Sequence, residues 1–168
     1  MAPLLDELQT VPGLESLTVE RWAFRTGAGG PGFDIVPVLF YLTVSALIVE
    51  AVRDVIYPKL KDKLYGIYQR LPGVTPTGKV YPMGVTVVDG ELEAQYRLPE
   101  GLSDVAFGEA LTSLPTHFAS LPRGERLSLV FTYEPGVKTW VENVDASNFR
   151  TWNAKREAGE DPGVHPIS

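Results

Sequence analysis

Asp34-Ile35-Val36-Pro37-Val38-Leu39-Phe40-Tyr41-Leu42-Thr43-Val44-Ser45-Ala46-Leu47-Ile48-Val49-Glu50 is the stretch on which the fold turns. Fifteen consecutive residues, Ile35 to Val49, carry no charge, and acids bracket them. Directly after them, Val52, Ile56, Leu60, Leu64, Ile67 and Leu71 recur at helical spacing. No turn signal separates the two halves. Asp34 suits an N-cap, and Pro37 is tolerable in a first helical turn. This pattern predicts one long helix over about 34–71, kinked near Tyr57 by Pro58. The alternative is a buried strand from Ile35 to Val44, because β-branched and aromatic side chains alternate there, with a helix beginning at Ser45.

If the run is helical, Leu39, Phe40, Leu42, Val44, Leu47 and Ile48 lie nearly all round it, with Val52 and Ile56 continuing the series. All-round apolarity requires covering on several sides. These eight residues are therefore the expected interface, covered by a second copy or a larger protein complex. A membrane helix needs about 20 apolar residues, so insertion of 35–52 beneath a soluble α+β head is the alternative reading.

Basic residues cluster after the run. Arg53, Lys59, Lys61, Lys63 and Arg70 stand against Asp54 and Asp62, a local net of +3 that leaves −9 for the rest of a chain of net charge −6. Tyr57, Tyr65 and Tyr68 interleave with them. That is the composition of a base-stacking surface, but the acidic total argues against nucleic acid. Solvated lysines flanking a core-facing stripe explain it more simply.

Further along, Val85–Val88 and Glu91–Leu98 flank Asp89-Gly90, a favoured hairpin pair. Val85, Val87, Leu92, Ala94, Tyr96 and Leu98 fall on one face. Thr86, Glu91, Glu93, Gln95 and Arg97 fall on the other, expected to be wet. Ser103 caps a second helix with an apolar stripe of Phe107, Leu111, Leu114, Phe118 and Leu121, interrupted by Pro115. Leu127–Tyr133 alternates as a strand, and Glu134-Pro135-Gly136 turns it back into Val137–Glu142. With a strand in Leu17–Arg25, the order is strand, helix, strand, strand, helix, strand, strand. This predicts an α+β fold with a mainly antiparallel sheet in ferredoxin-like (split β-α-β) order. Residues 1–13 read as an N-terminal arm and 14–145 as a single domain. Residues 146–168 read as a tail, with a short surface helix bearing Phe149 and Trp152 and a disordered end.

The chemical motifs are sparse. Gly27-Ala28-Gly29-Gly30-Pro31-Gly32 matches G-x-G-x-x-G literally. However, no acidic residue ends a second strand about 20 residues on, Pro31 removes a donor, and Asp34 opposes a phosphate. A small nucleotide-binding protein or enzyme using Gly27–Gly32 is thus a further alternative. His117, with Ser113 and Ser120 nearby, lacks a nucleophile-elbow context, and His165 sits in the tail. Asp89, Glu91 and Glu93 are more simply solubilising charge than an acid–base set. The absence of cysteine excludes thiol chemistry and disulfides. The N-terminus carries acid where a secretory signal carries base. The resulting expectation is a cytoplasmic, non-enzymatic interaction or assembly subunit with no cofactor and no metal.

Overall fold

The computed structural model describes residues 18–20, 41–45, 54, 57–70, 74–75, 78–79 and 81–166. Strands β1 (Thr18–Glu20) and β2 (Tyr41–Ser45) come first, followed by helix α1 (Tyr57–Arg70). The pair β3 (Val74–Thr75) and β4 (Gly78–Lys79) precedes the hairpin β5 (Met83–Asp89) and β6 (Leu92–Leu98). Helix α2 (Asp104–Ala119), strands β7 (Leu127–Glu134) and β8 (Thr139–Glu142), and helix α3 (Val144–Glu157) complete the chain.

The long helix over 34–71 is not found: residues 41–45 are a strand, and the helix begins at Tyr57. Pro58 lies in the first turn of α1, where a missing N–H costs little, and Asp54 ahead of it is also helical, in a π turn. The strand alternative for 35–44 agrees with the described residues 41–44, and the strand includes Ser45, where that reading began a helix. β2 pairs antiparallel with β1 and parallel with β5, with Leu42 opposite Val85 and Val44 opposite Val87. A strand with a parallel neighbour reads as a continuous apolar run rather than an alternating one.

Among the described residues the main sheet has six strands in the order β1-β2-β5-β6-β7-β8. It is mixed, because β2 runs parallel to β5 and β6 parallel to β7. From β2 to β7 the succession is strand, α1, the pair β3–β4, the hairpin β5–β6, α2 and strand, so the expected βαββαβ order is not reproduced. In a split β-α-β arrangement another strand separates the two parallel strands, whereas here β2 adjoins β5 and β6 adjoins β7. Spatial order follows chain order, so the ferredoxin-like expectation reduces to α+β with a mixed sheet.

The hairpin turn is displaced by one residue from the expected pair. Asp89 registers with Leu92, so Gly90 and Glu91 are central. Gly90 has φ 58° and Glu91 is not among the positive-φ residues, which is the sign pattern of a type II′ turn with glycine first.

One face of β5–β8 carries the core: Val85, Val87, Ala94, Tyr96, Leu98, Phe131, Tyr133 and Trp140 are buried against Phe107, Leu111, Leu114 and Phe118 of α2 and Leu64 and Tyr68 of α1. Burying each such large side chain stabilises the fold by about 1.5–3 kcal/mol. Ser103 caps α2 as expected, its Oγ accepting from Ala106 N–H at 3.1 Å. The opposite face is less wet than expected, since Thr86, Gln95 and Val130 are buried there.

Helix α3 crosses the boundary drawn at 145/146 and belongs with β7. β8 ends at Glu142, leaving the edge of β7 around Ser128–Val130 without a strand partner. Two hydroxyls of α3 take its place. Val130 N–H donates to Ser147 Oγ at 2.8 Å, and Ser128 N–H donates to Thr151 Oγ1 at 2.9 Å. Four residues of helix rise about 6 Å, and two residues of strand advance about 6.6 Å. A hydroxyl pair at i, i+4 therefore matches alternate N–H groups of a strand. Beyond α3 the chain folds back: Trp152 Nε1–H donates to Gly163 C=O at 3.3 Å, and the His165 ring meets Trp152 edge-on at 4.5 Å.

Candidate interaction surface

Of the eight residues expected to form the interface, Leu42 and Val44 fall in β2, within the sheet. Leu39, Phe40, Leu47, Ile48, Val52 and Ile56 lie outside the described residues, as do the 1–13 arm and the Gly27–Gly32 loop. The structure thus corrects the helical premise at 41–45 and ties the uncharged run to the sheet through the β2–β5 register.

The Tyr–Lys pattern of α1 resolves into the simpler reading. Tyr65 and Tyr68 pack against Phe107, with ring centroids 5.5 and 5.0 Å away, while Lys61 and Lys63 are exposed. The tyrosine hydroxyls clamp the loop that enters α2. Tyr65 donates to Leu102 C=O at 2.9 Å, and Tyr68 donates to Pro99 C=O and accepts from Leu102 N–H at 2.8 Å. Burial pushes the Tyr68 phenol up to about 12. A concavity of about 500 Å³ borders this clamp between Tyr65, Gln69, Glu100 and Ser103. Ser103 Oγ is occupied by the helix cap, and the two tyrosine hydroxyls by the Pro99–Leu102 backbone.

His117 lies near the end of α2, where its Nδ1 is 3.0 Å from Tyr96 Oη. Its ring packs edge-on against Phe131 at 4.6 Å and Tyr96 at 5.5 Å. Burial holds the imidazole below its ordinary range and the Tyr96 phenol well above its own. Neither nearby serine serves the imidazole. Ser120 Oγ donates to the His117 backbone carbonyl at 2.6 Å, while Ser113 Oγ donates to Ala110 C=O and accepts from Trp140 Nε1–H at 3.1 Å. A half-buried histidine in an aromatic cluster is a packing element here, and no Ser–His pair is assembled.

The hairpin carboxylates are each matched by an arginine. Asp89 meets Arg123 at 3.3 Å, Glu91 meets Arg126 at 2.5 Å, and Glu93 meets Arg150. Arg150 Nε also donates to Ser128 Oγ at 3.2 Å, which fastens α3 to the polar face of the sheet. These acids tie elements together rather than converging on a vacant centre. Among the described residues no group of His, Asp or Glu could hold a metal ion. Among them, too, no helix is long and apolar enough to cross a membrane.

Sequence reasoning missed the outer edge of β8. Val137, Val141 and Val144, three of the exposed large hydrophobics, fall within eight residues around it, whereas Trp140 between them is buried. The signal available was Val137–Glu142 itself, read only as a hairpin return. Compared with known proteins, the chain matches no family model, and no curated protein or solved structure shows significant similarity to it.

Proposed function

We propose that the chain is a non-enzymatic interaction or assembly subunit, with residues 35–56 supplying its contact to a second copy or a protein partner. The observation that carries this reading is the length of the uncharged run: fifteen consecutive residues, Ile35 to Val49, with acids at both ends. Its segment Tyr41–Ser45 is a strand of the sheet, paired with β5. Apolar side chains in excess of what a small domain covers favour association. The ion-paired hairpin carboxylates and the packed His117 support a structural role for the residues that had looked most like chemistry. We place such a subunit in a reducing compartment, the cytoplasm, in keeping with a chain that has no cysteine.

Light-scattering mass of the wild type against Leu47→Asp and Ile48→Asp tests the proposal. Either substitution is expected to lower the mass or abolish the complex with a purified partner while circular dichroism stays unchanged. Leu42→Asp is the contrasting variant: it is in register with Val85 inside the sheet and is expected to destabilise the fold itself. Folded Asp variants of unchanged mass and unchanged partner binding would end the proposal. Assembly that depends on detergent would replace it with membrane association.

A further inference from the structure

Helix α3 is attached differently from α1 and α2. Those two place Leu64, Tyr68, Phe107, Leu111, Leu114 and Phe118 in the core. Of the fourteen residues of α3 only Ser147 is buried, and the core cluster takes in none of them. Polar groups hold α3 instead. Ser147 and Thr151 accept from the Val130 and Ser128 N–H groups. Ion pairs join Arg150 to Glu93, Lys155 to Glu125 at 3.8 Å and Glu160 to Arg126 at 3.1 Å. Arg126 also holds Glu91, so one guanidinium links the hairpin turn to the chain beyond α3. The side chains in these pairs are 26% to 69% exposed, which leaves them open to screening by salt.

The same segment is closed on itself. Trp152 Nε1–H reaches Gly163 C=O, and the His165 ring meets Trp152 edge-on at 4.5 Å and Phe149 at 6.0 Å. Arg156 lies over the Trp152 ring at 5.0 Å. The aromatic side chains of α3 thus pack with the segment's own C-terminal end. Parts of a fold that open ahead of the rest are those with few buried apolar contacts. We propose that residues 144–165 form a strap that leaves β7 as one unit while the sheet and its core stay folded. The hinge is Asn143. Its N–H bonds Val130 C=O as the last group of the β8 ladder, and its Oδ1 accepts from Ala146 N–H at 3.1 Å as the cap of α3. Closed, the strap fills the stretch of the β7 edge that β8 does not reach, which keeps that edge from standing bare. Open, it leaves the Ser128 and Val130 N–H groups to water. Ionic strength sets the balance, because the latch is made of exposed charge. The device is independent of the 35–56 surface.

Native-state hydrogen exchange tests the strap at about 0.1 M and about 1 M NaCl, between which the Debye length falls from about 10 Å to about 3 Å. The amides of Ser128, Val130, Thr151 and Ala154 are expected to exchange through one shared opening. Its denaturant slope should be smaller than that of Ala94 and Tyr96 in β6, because little surface is exposed. Salt should raise the open population about tenfold and change β6 far less. Arg150→Glu faces Glu93 with a like charge and is expected to open the strap about tenfold at the lower salt. Adding Glu93→Arg restores closure. Lys61→Glu, the same change of charge at an exposed position of α1, should leave the opening as it is. If the double variant fails to fold, the wild-type salt response and Arg150→Glu decide. Ser128 and Val130 amides that exchange with the slope and rate of β6 overturn the proposal. So do α3 amides that exchange while Ser128 and Val130 stay protected, which is fraying of a helix that never leaves β7. An opening indifferent to salt, or one moved equally by Lys61→Glu, overturns the electrostatic latch.

Discussion

Replacing Ser147 by Ala is expected to unpin α3 from β7 at a cost out of proportion to one small hydroxyl. Ser147 is 2% exposed and Val130 0%, and the 2.8 Å bond between them supplies the Val130 N–H with its partner. Losing the hydroxyl leaves a buried donor unsatisfied, which costs about 1–3 kcal/mol. For a chain of this length that lowers the melting temperature by about 2–4 °C per kcal/mol. Thr151→Val does the same to Ser128 N–H and also removes the bond that Thr151 Oγ1 donates to Ser128 C=O at 3.2 Å. Asn148→Ala, at an exposed neighbouring position, is expected to stay within about 0.5 kcal/mol of the wild type. Urea unfolding reads the free energies, and hydrogen exchange reads the Val130 amide, which should lose protection in Ser147→Ala with the denaturant slope unchanged. Stability within about 0.3 kcal/mol of the wild type, with Val130 still protected, would refute the edge-capping role and with it the reasoning from burial to cost.

Three further outcomes follow from the same geometry. Because burial lowers the His117 pKa below its unfolded value near 6.5, the stability tied to neutral His117 is full above about pH 6.5 and is lost as pH falls below it. A stability profile from pH 8 to 5 should show that loss in the wild type, and His117→Gln should flatten it; identical profiles would contradict the assignment. Tyr68→Phe removes the donor to Pro99 C=O and the acceptor for the buried Leu102 N–H, so it is expected to cost about 1–3 kcal/mol in urea unfolding. The chain has no cysteine of its own, so Thr43→Cys with Thr86→Cys, a directly opposed pair, should cross-link on mild oxidation, whereas Thr43→Cys with Val88→Cys should not.

The parts of the fold set by local patterning could be read without coordinates. The β5–β6 hairpin, α2 with its Ser103 cap and buried Phe107-Leu111-Leu114-Phe118 stripe, and β7 all follow from periods of 2 and 3.6 with turn residues at their ends. β2 did not. A short strand with neighbours on both sides has the same uniform apolarity as a buried helix, and only the distant β5 decides between them. The ferredoxin-like expectation failed for a related reason: element order leaves open whether a crossover lands beside its own strand or one further along. α3 was anticipated as a surface helix, but its role was hidden because a serine or threonine on a helix ordinarily points to solvent or bonds the preceding turn. That Ser147 and Thr151 serve a strand edge depends on β8 stopping after four residues. For the candidate surface, composition located the uncharged run, whereas the strand at Tyr41–Ser45 needed its register with β5.

The proposal that residues 35–56 make the protein an assembly subunit is tested most directly by solution mass, alone and with a purified partner. The chain should associate without detergent. Adding Leu47→Asp and Ile48→Asp should return it to the mass of a folded single chain, 18.4 kDa. A wild type that is already a folded 18.4 kDa monomer binding no partner, or an association that survives both aspartates, would contradict the account.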